Sequence, residues 1–357
     1  IAQLGRIPHI EWATEWFGVG GYTNPTPDLV LERAMPGSPT PVNPYWKEVV
    51  DYARSKGIRT GIFETVTRNF AMEKREWKVL QSDGTAWTWG DPAHPVNCWG
   101  NPDYAKWRLE ITSRAIEEMD LYMVAWDAFV PADWTWLGWP DLKMECYATN
   151  HGHLPGDIRY AAYRNIQWFL DQLKERYPKV ALRIASGATT AYPWIMKNLI
   201  EYHPNFYDGE TGASFWLSYN FRFLPMRKSG ILFSASTDEQ FRWLLLRSIS
   251  TSDHVMLWPD AVPLAIRNKA FWDRWLSWAD EHIEYLRVGR TLFREPWGDK
   301  VVASMPPALE GRLPAPESSL HGTAHCIGDH GFLFVFNPSG GLRVGQIPVN
   351  HWLGLSK

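Results

Sequence analysis

The run Leu121-Tyr122-Met123-Val124-Ala125-Trp126-Asp127-Ala128-Phe129 constrains the fold of this chain most. It is apolar at alternate and at intervening positions alike. That pattern fits a strand covered on both faces, the situation of a parallel strand in a β/α sheet or barrel. Asp127, near the end of the run, is costly to bury unless it has partners or a task. The chain continues into Pro131-Ala132-Asp133-Trp134-Thr135-Trp136-Leu137-Gly138-Trp139, with three tryptophans in six positions. An acid at the C-terminal end of a barrel strand, followed by an aromatic loop, stands where such folds place catalysis. The bland alternative is that Asp127 caps the next turn and the tryptophans fill core.

The rest of the chain repeats a strand-then-helix pattern. Strands are expected within Arg6–Phe17, then over Ile58–Val66, Leu121–Phe129, Val180–Ser186, Asn205–Asp208, Ile231–Ser234 and His254–Trp258. Helices are expected over Tyr45–Lys56, from Pro102 to about Met119, and over Ile158–Tyr177, Thr190–Tyr202, Asp238–Ser250 and Asn268–Leu286. In the first helix Trp46, Val49, Val50 and Ala53 recur on one face of a 3.6-residue period, and Gly57 ends it. Such alternation favours a parallel α/β fold over a sandwich or a bundle. We therefore expect a (β/α)8 TIM-type barrel over residues 1–292, although an eighth strand is not legible. Residues 293–357 read differently. Thr323–Ile327, Gly331–Phe336 and Leu342–Val349 look like antiparallel strands joined by Gly-containing turns, the start of an incomplete C-terminal β-sandwich module.

Composition narrows the function. With 357 residues and a net charge of -3, the chain is large enough for one barrel and an appendage. Its dispersed lysines and arginines form no basic stripe, so no nucleic-acid partner is expected. No apolar run reaches membrane-spanning length, so no membrane partner is expected either. A homo-oligomer is left open. The chain starts at Ile1 without methionine or a signal-like segment, as expected of a processed or trimmed chain, and localisation is not legible. Tryptophan is the outlier at 22 residues. Its flat apolar face with an N–H handle suits the C–H face of a pyranose ring, although part of the excess is ordinary core. Cys98, Cys146 and Cys326 are odd in number, far apart and free of CxxC spacing, which argues against a zinc ribbon or redox pair; buried thiols are expected. His151-Gly152-His153 has a spacing that can ligate metal, but it lies in a loop and reads as a turn. No metal or cofactor is expected.

Glycoside hydrolysis generally needs two carboxyl groups flanking the scissile bond. Acids at strand ends are therefore the candidates: Glu64, Asp127, Asp208 with Glu210 close behind, and Asp260. Any one of them taken alone could be a helix N-cap. Gly209 and Gly212 leave space beside Asp208.

Four ordered segments carry a family resemblance. Gly61-Ile62-Phe63-Glu64 is similar to a Gly-x-Trp-x-Glu strand, and Val124-Ala125-Trp126-Asp127 to a Lys-Trp-Asp strand. Ala185-Ser186-Gly187-Ala188 is similar to a Ser-Gly-Gly segment, and Phe206-Tyr207-Asp208-Gly209-Glu210-Thr211 to a Ser-Asp segment. In this the chain resembles the clan D retaining α-glycosidases, most of all glycoside hydrolase family 36 of α-galactosidase type. The resemblance implies a carbohydrate substrate and a double displacement. Asp127 would attack the anomeric carbon, and Asp208 would serve as acid and then base. Their carboxyls would lie about 5–5.5 Å apart, against about 6.5–9.5 Å in an inverting enzyme. Trp126, Trp134 and Trp136 are the candidates for ring stacking, and Arg183, Glu64 and Glu210 for contacts to the substrate. The chain departs from the family at Ala125, where the family has a sugar-contacting lysine. It departs again at Ser186-Gly187-Ala188-Thr189, which is less glycine-rich, and the family's Asp-Asp-Gly-Trp segment has no clear match. These departures bear on which sugar is bound. Rival readings are a non-catalytic sugar-binding barrel, an inverting hydrolase acting on an unusual or anionic sugar, and a metal-dependent barrel hydrolase.

Overall fold

The computed structural model describes residues 9–13, 44–65, 75–88, 96–127, 145–185, 197–198, 201–203, 227–232, 235–251, 254–257, 261–292 and 321–337, with isolated positions at 4, 342, 344, 347, 349, 353 and 355. The chain is mixed α/β, with parallel and antiparallel strands. It divides into two compact units, residues 7–200 and residues 1–6 with 201–357.

In the first unit β1 (His9–Ala13), β2 (Arg59–Thr65), β3 (Met123–Asp127) and β4 (Ala181–Ala185) pair in parallel in sequence order. The helices between them form where the sequence calls for them. Helix α1 (Pro44–Ser55) starts on a proline, which loses no hydrogen bond in the first turn. It buries Val50 and Ala53. It closes on Gly57, whose φ of +70° only glycine adopts freely. Helix α2 (Pro102–Met119) is capped by Asn101, whose side chain accepts from the Asp103 N–H at 2.9 Å, and ends at Asp120 in the left-handed region. Helix α3 (Arg159–Arg176) follows β3 and packs on α2. Ile62, Val124 and Leu182 lie level across β2, β3 and β4 and are completely buried, as expected of parallel strands covered by helices.

The second unit holds β5 (Glu201–His203), β6 (Arg227–Leu232) and β7 (His254–Leu257), again parallel. Helix α4 (Asp238–Thr251) joins β6 to β7. Residues 201–203 correct one expectation: they are a strand, not the end of a helix over Thr190–Tyr202. The run Glu-Tyr-His carries no period that separates the two states, and sheet pairing decides it. The helix expected over Asn268–Leu286 is also corrected. A short helix α5 (Val262–Arg267) precedes it, set off at Asn268, and the expected span itself is two pieces, α6 (Lys269–Glu281) and α7 (Ile283–Leu286), broken at His282. The Asn268 side chain reaches Asp238 and the Leu264 carbonyl, and it accepts from Arg242. An asparagine that bonds locally competes with a continuous helix.

Three strands form an antiparallel sheet, β8 (Gly289–Leu292), β9 (His321–Ile327) and β10 (His330–Phe336), with β9 in the centre. The sheet begins at Gly289, just ahead of the boundary expected at residue 293. Its third strand is β8; the described residues between 342 and 349 are not in a strand. Among the described residues no helix is long and apolar enough to cross a membrane.

Candidate active site

Asp127 is the last residue of β3, in register with Thr65 of β2 and Ala185 of β4. Ligand and catalytic groups in parallel sheets gather beyond these strand ends. One step back, Trp126 is completely buried, its ring edge-on to Phe169 of α3 with centroids 5.4 Å apart. Trp126 is therefore a core residue on the helix-covered face, which corrects its assignment to ring stacking. Strand alternation puts position 127 at the other parity. Arg183 pairs in register with Ala125, so it shares that parity with positions 127 and 185. It is only 1% exposed. A guanidinium at that depth has a role in holding its surroundings together, since burial without partners is prohibitive. On the same parity stand Ala125 and Phe63, level with it, and Gly61, Met123, Ala181 and Ala185 nearby.

Glu64 stands in β2 level with Trp126. Asp208, Glu210, Trp134, Trp136 and Asp260 lie outside the described residues.

The tryptophans near β3 form core. Trp77 faces Trp107 with centroids 5.4 Å apart, Trp99 meets Tyr104 edge-on at 5.2 Å, and Trp99 meets Phe169 at 5.5 Å. Composition pointed to sugar stacking and to core together; among these residues it is core.

A second cluster lies in the loops that follow β2 and β3. The first loop folds back on itself through the Val79 N–H to Val96 carbonyl bond and the Cys98 N–H to Trp77 carbonyl bond, at 2.9 and 2.7 Å. This delivers Cys98. The second loop delivers Cys146, His151 and His153, and it is tied to the first by the Tyr147 N–H donating to the Leu80 carbonyl at 2.8 Å. Cys98 Sγ is 3.4 Å from His153 Nε2, and Cys146 Sγ is 3.4 Å from His151 Nδ1. One ligand atom from each of the four residues lies within 4.8 Å of every other. The remaining ring nitrogens face carbonyls, His151 Nε2 that of Glu76 at 2.6 Å and His153 Nδ1 that of Leu154 at 2.9 Å. A carbonyl only accepts, so those nitrogens carry the hydrogens. Gly100 makes room: a Cβ there would stand 2.6 Å from His153 Cδ2. Gly152, at φ +69°, turns the chain between the two histidines.

The electrostatics are those of a coupled set. The hydrogen bond from Cys98, with further ones from His151 and His153, outweighs burial and brings the Cys146 thiol down to about 2. Burial first, and Cys146 second, push Cys98 well above the ordinary thiol value. His153 is raised, chiefly by its hydrogen bond with Cys146.

The sequence reading treated these four residues as two unrelated features. The available signal was Cys146 standing close ahead of His151-Gly152-His153. Cys98 had no sequence signal, because only the pairing of β2 with β3 brings its loop alongside.

No protein-family model and no curated protein matches the chain. Solved structures do share its fold. The family GH36 α-galactosidase AgaA from Geobacillus stearothermophilus superposes with a TM-score of 0.56 at 13% identity, over 81% of this chain and 39% of that one. The α-N-acetylgalactosaminidase NagBb from Bifidobacterium bifidum gives 0.54 at 14% identity, over 94% and 48%. The α-galactosidase from Lactobacillus brevis gives 0.53 at 12%, over 80% and 38%. The chain thus spans less than half the length of these proteins. The likeness is one of fold.

Proposed function

We propose that the chain is a glycoside hydrolase that removes a terminal α-linked, α-galactoside-like sugar by a retaining double displacement. Its parallel strands would belong to a (β/α)8 barrel, followed by an antiparallel module. The observation that carries the reading is Asp127, the last residue of a strand buried on both faces, in a fold shared with α-galactosidases.

Asp127 is the nucleophile in this reading. Asp208 protonates the leaving oxygen and then takes a proton from the attacking water, which returns the carboxyl to its first state. Near neutral pH Asp208 must hold its proton, which burial or the Asp127 charge would favour. Arg183, at the same parity as position 127 and deeply buried, positions the strand ends through charge. Trp134 and Trp136 are the remaining tryptophans proposed to meet the sugar, with Glu210 bonding a hydroxyl; Glu64, level with Trp126, shares the helix-covered face and is left out of the site.

The test is hydrolysis of a panel of p-nitrophenyl α-glycosides by the chain and by Asp127→Asn. Cleavage of an α-galactoside or related glycoside is expected, with the variant at least roughly 1,000-fold slower. The first-formed sugar should keep the α configuration by NMR. Cleavage that survives Asp127→Asn, or a product with inverted configuration, would sink the mechanism. A chain that binds sugars without cleaving any would be a binding barrel.

A further inference from the structure

We propose that Cys98, Cys146, His151 and His153 form a structural zinc site that fastens the loop after β2 to the loop after β3. The inference is independent of the glycosidase reading.

Four donors, two thiols and two imidazoles, stand close enough together to converge on one ion. With Zn–S near 2.3 Å and Zn–N near 2.0–2.1 Å, a tetrahedron separates a sulfur from a nitrogen by about 3.5 Å. Two of the four sulfur–nitrogen pairs stand at 3.4 Å, and all four donor atoms lie within 4.8 Å of one another. The donors are two thiols and two imidazoles, the set that selects zinc over calcium or magnesium.

The surroundings are prepared as well. In metal sites a ligating histidine usually gives its other N–H to a carbonyl or carboxylate, which fixes the tautomer and aims the lone pair. Both rings have this arrangement, through the carbonyls of Glu76 and Leu154. The Glu76 carbonyl is itself held, since it also accepts from the Asn101 amide at 3.2 Å. Asn101 caps α2, so the site is tied to the start of that helix. Cys98, Cys146 and His151 are buried and His153 is half-buried. Glycine at position 100 leaves the His153 ring space beside Cys98.

Four protein ligands leave no coordination position for water or substrate, so the site is structural and not catalytic. Beside the Tyr147 N–H to Leu80 carbonyl bond, a shared ion would add a second tie between the two loops. Each leaves the end of a strand next to Asp127. Metal loss would therefore loosen that strand end without removing any reacting group.

The test is metal content. The chain is produced in zinc-supplemented medium, purified without chelator, and measured by inductively coupled plasma mass spectrometry. About one zinc per chain is expected. Cys98→Ser and His151→Ala should each lose it. Treating the intact protein with a mercurial thiol reagent should release that zinc to a chromogenic chelator, which covers the case of variants that fail to fold. Cobalt(II) added to stripped protein should give thiolate charge-transfer and intense tetrahedral d–d bands. Removal of the metal should lower the melting temperature by about 10 °C, restored by zinc alone. Folded protein without stoichiometric metal and without the cobalt spectrum would overturn the proposal. So would stoichiometric iron in place of zinc, or a Cys98–Cys146 disulfide found by non-reducing mass spectrometry.

Discussion

Two aromatic groups, one in each unit, are used in opposite ways. In residues 7–200, Trp99, Tyr104, Trp126 and Phe169 are all essentially sealed from water and meet mostly edge to face. In residues 201–357, Trp278 gathers His282, Phe332 and Phe334 around it, with Tyr285 against Phe332, yet all of these are only half-buried. The first group is core between helices and a parallel sheet. The second lines the contact between one helix and one face of a small antiparallel sheet, with water at its edge. Aromatic content alone therefore says little about ligands: the covering layers decide what a ring does.

Buried histidines show the same split. His151 and His153 each point one nitrogen at a carbonyl and one at a sulfur. His325, in β9, has oxygens at both ring nitrogens: the carbonyls of Tyr285 at 3.2 Å and Ser250 at 2.8 Å, and the Thr323 hydroxyl at 2.9 Å. The first arrangement can take a metal. The second anchors a sheet to the end of α4 and to α7.

The largest effect on stability should separate the aromatic groups. Trp126→Ala is expected to cost about 3–5 kcal/mol, the usual range for a fully buried large side chain. Trp278→Ala should cost about 1–2 kcal/mol, because water already covers part of the ring. Urea unfolding of both variants measures this, and equal costs would break the contrast.

Gly100→Ala comes next, at about 1–3 kcal/mol for a forced overlap in a packed place. The added methyl meets the His153 ring and not main chain, so the ring must move. Zinc content should fall along with the melting temperature. A stable variant that keeps its metal would mean that the ring has slack.

The smallest effect concerns pH and the second unit. Burial holds the pKa of His325 below its usual value. The unfolded chain then binds a proton that the folded chain refuses. Stability from this group is complete above the unfolded value of about 6.5 and falls as pH drops from there towards the folded value. Denaturation midpoints measured from pH 7.5 down to 5 should decline, and His325→Gln should flatten part of that slope. An unchanged slope would show that His325 is not the responsible group.

Periodicity and punctuation made much of the fold legible. Helix α2 follows from Asn101-Pro102 and its apolar face, and β3 from an unbroken apolar run. These signals are local, and nothing in the tertiary structure opposes them. Where local signals were ambivalent, the sequence misled. Glu201 and Tyr202 read as the end of a helix until a neighbouring strand pairs with them, and the helix expected to run on to Leu286 is interrupted at His282. Of the candidate active site, the end position of Asp127 was legible, whereas the core role of Trp126 was not. Its parity on the strand shows which face it takes, but only α3 settles what covers that face.

The sequence by itself determined the strand–helix alternation, the strand that carries Asp127 near its end and the turns at Gly57 and Gly152, because each depends on residues adjacent along the chain. Only the tertiary structure decided that Cys98 meets Cys146, His151 and His153, and that Arg183 shares a sheet face with position 127. Those meetings depend on which strands pair and in what register. Register is a cooperative outcome of the whole sheet, which no single segment encodes.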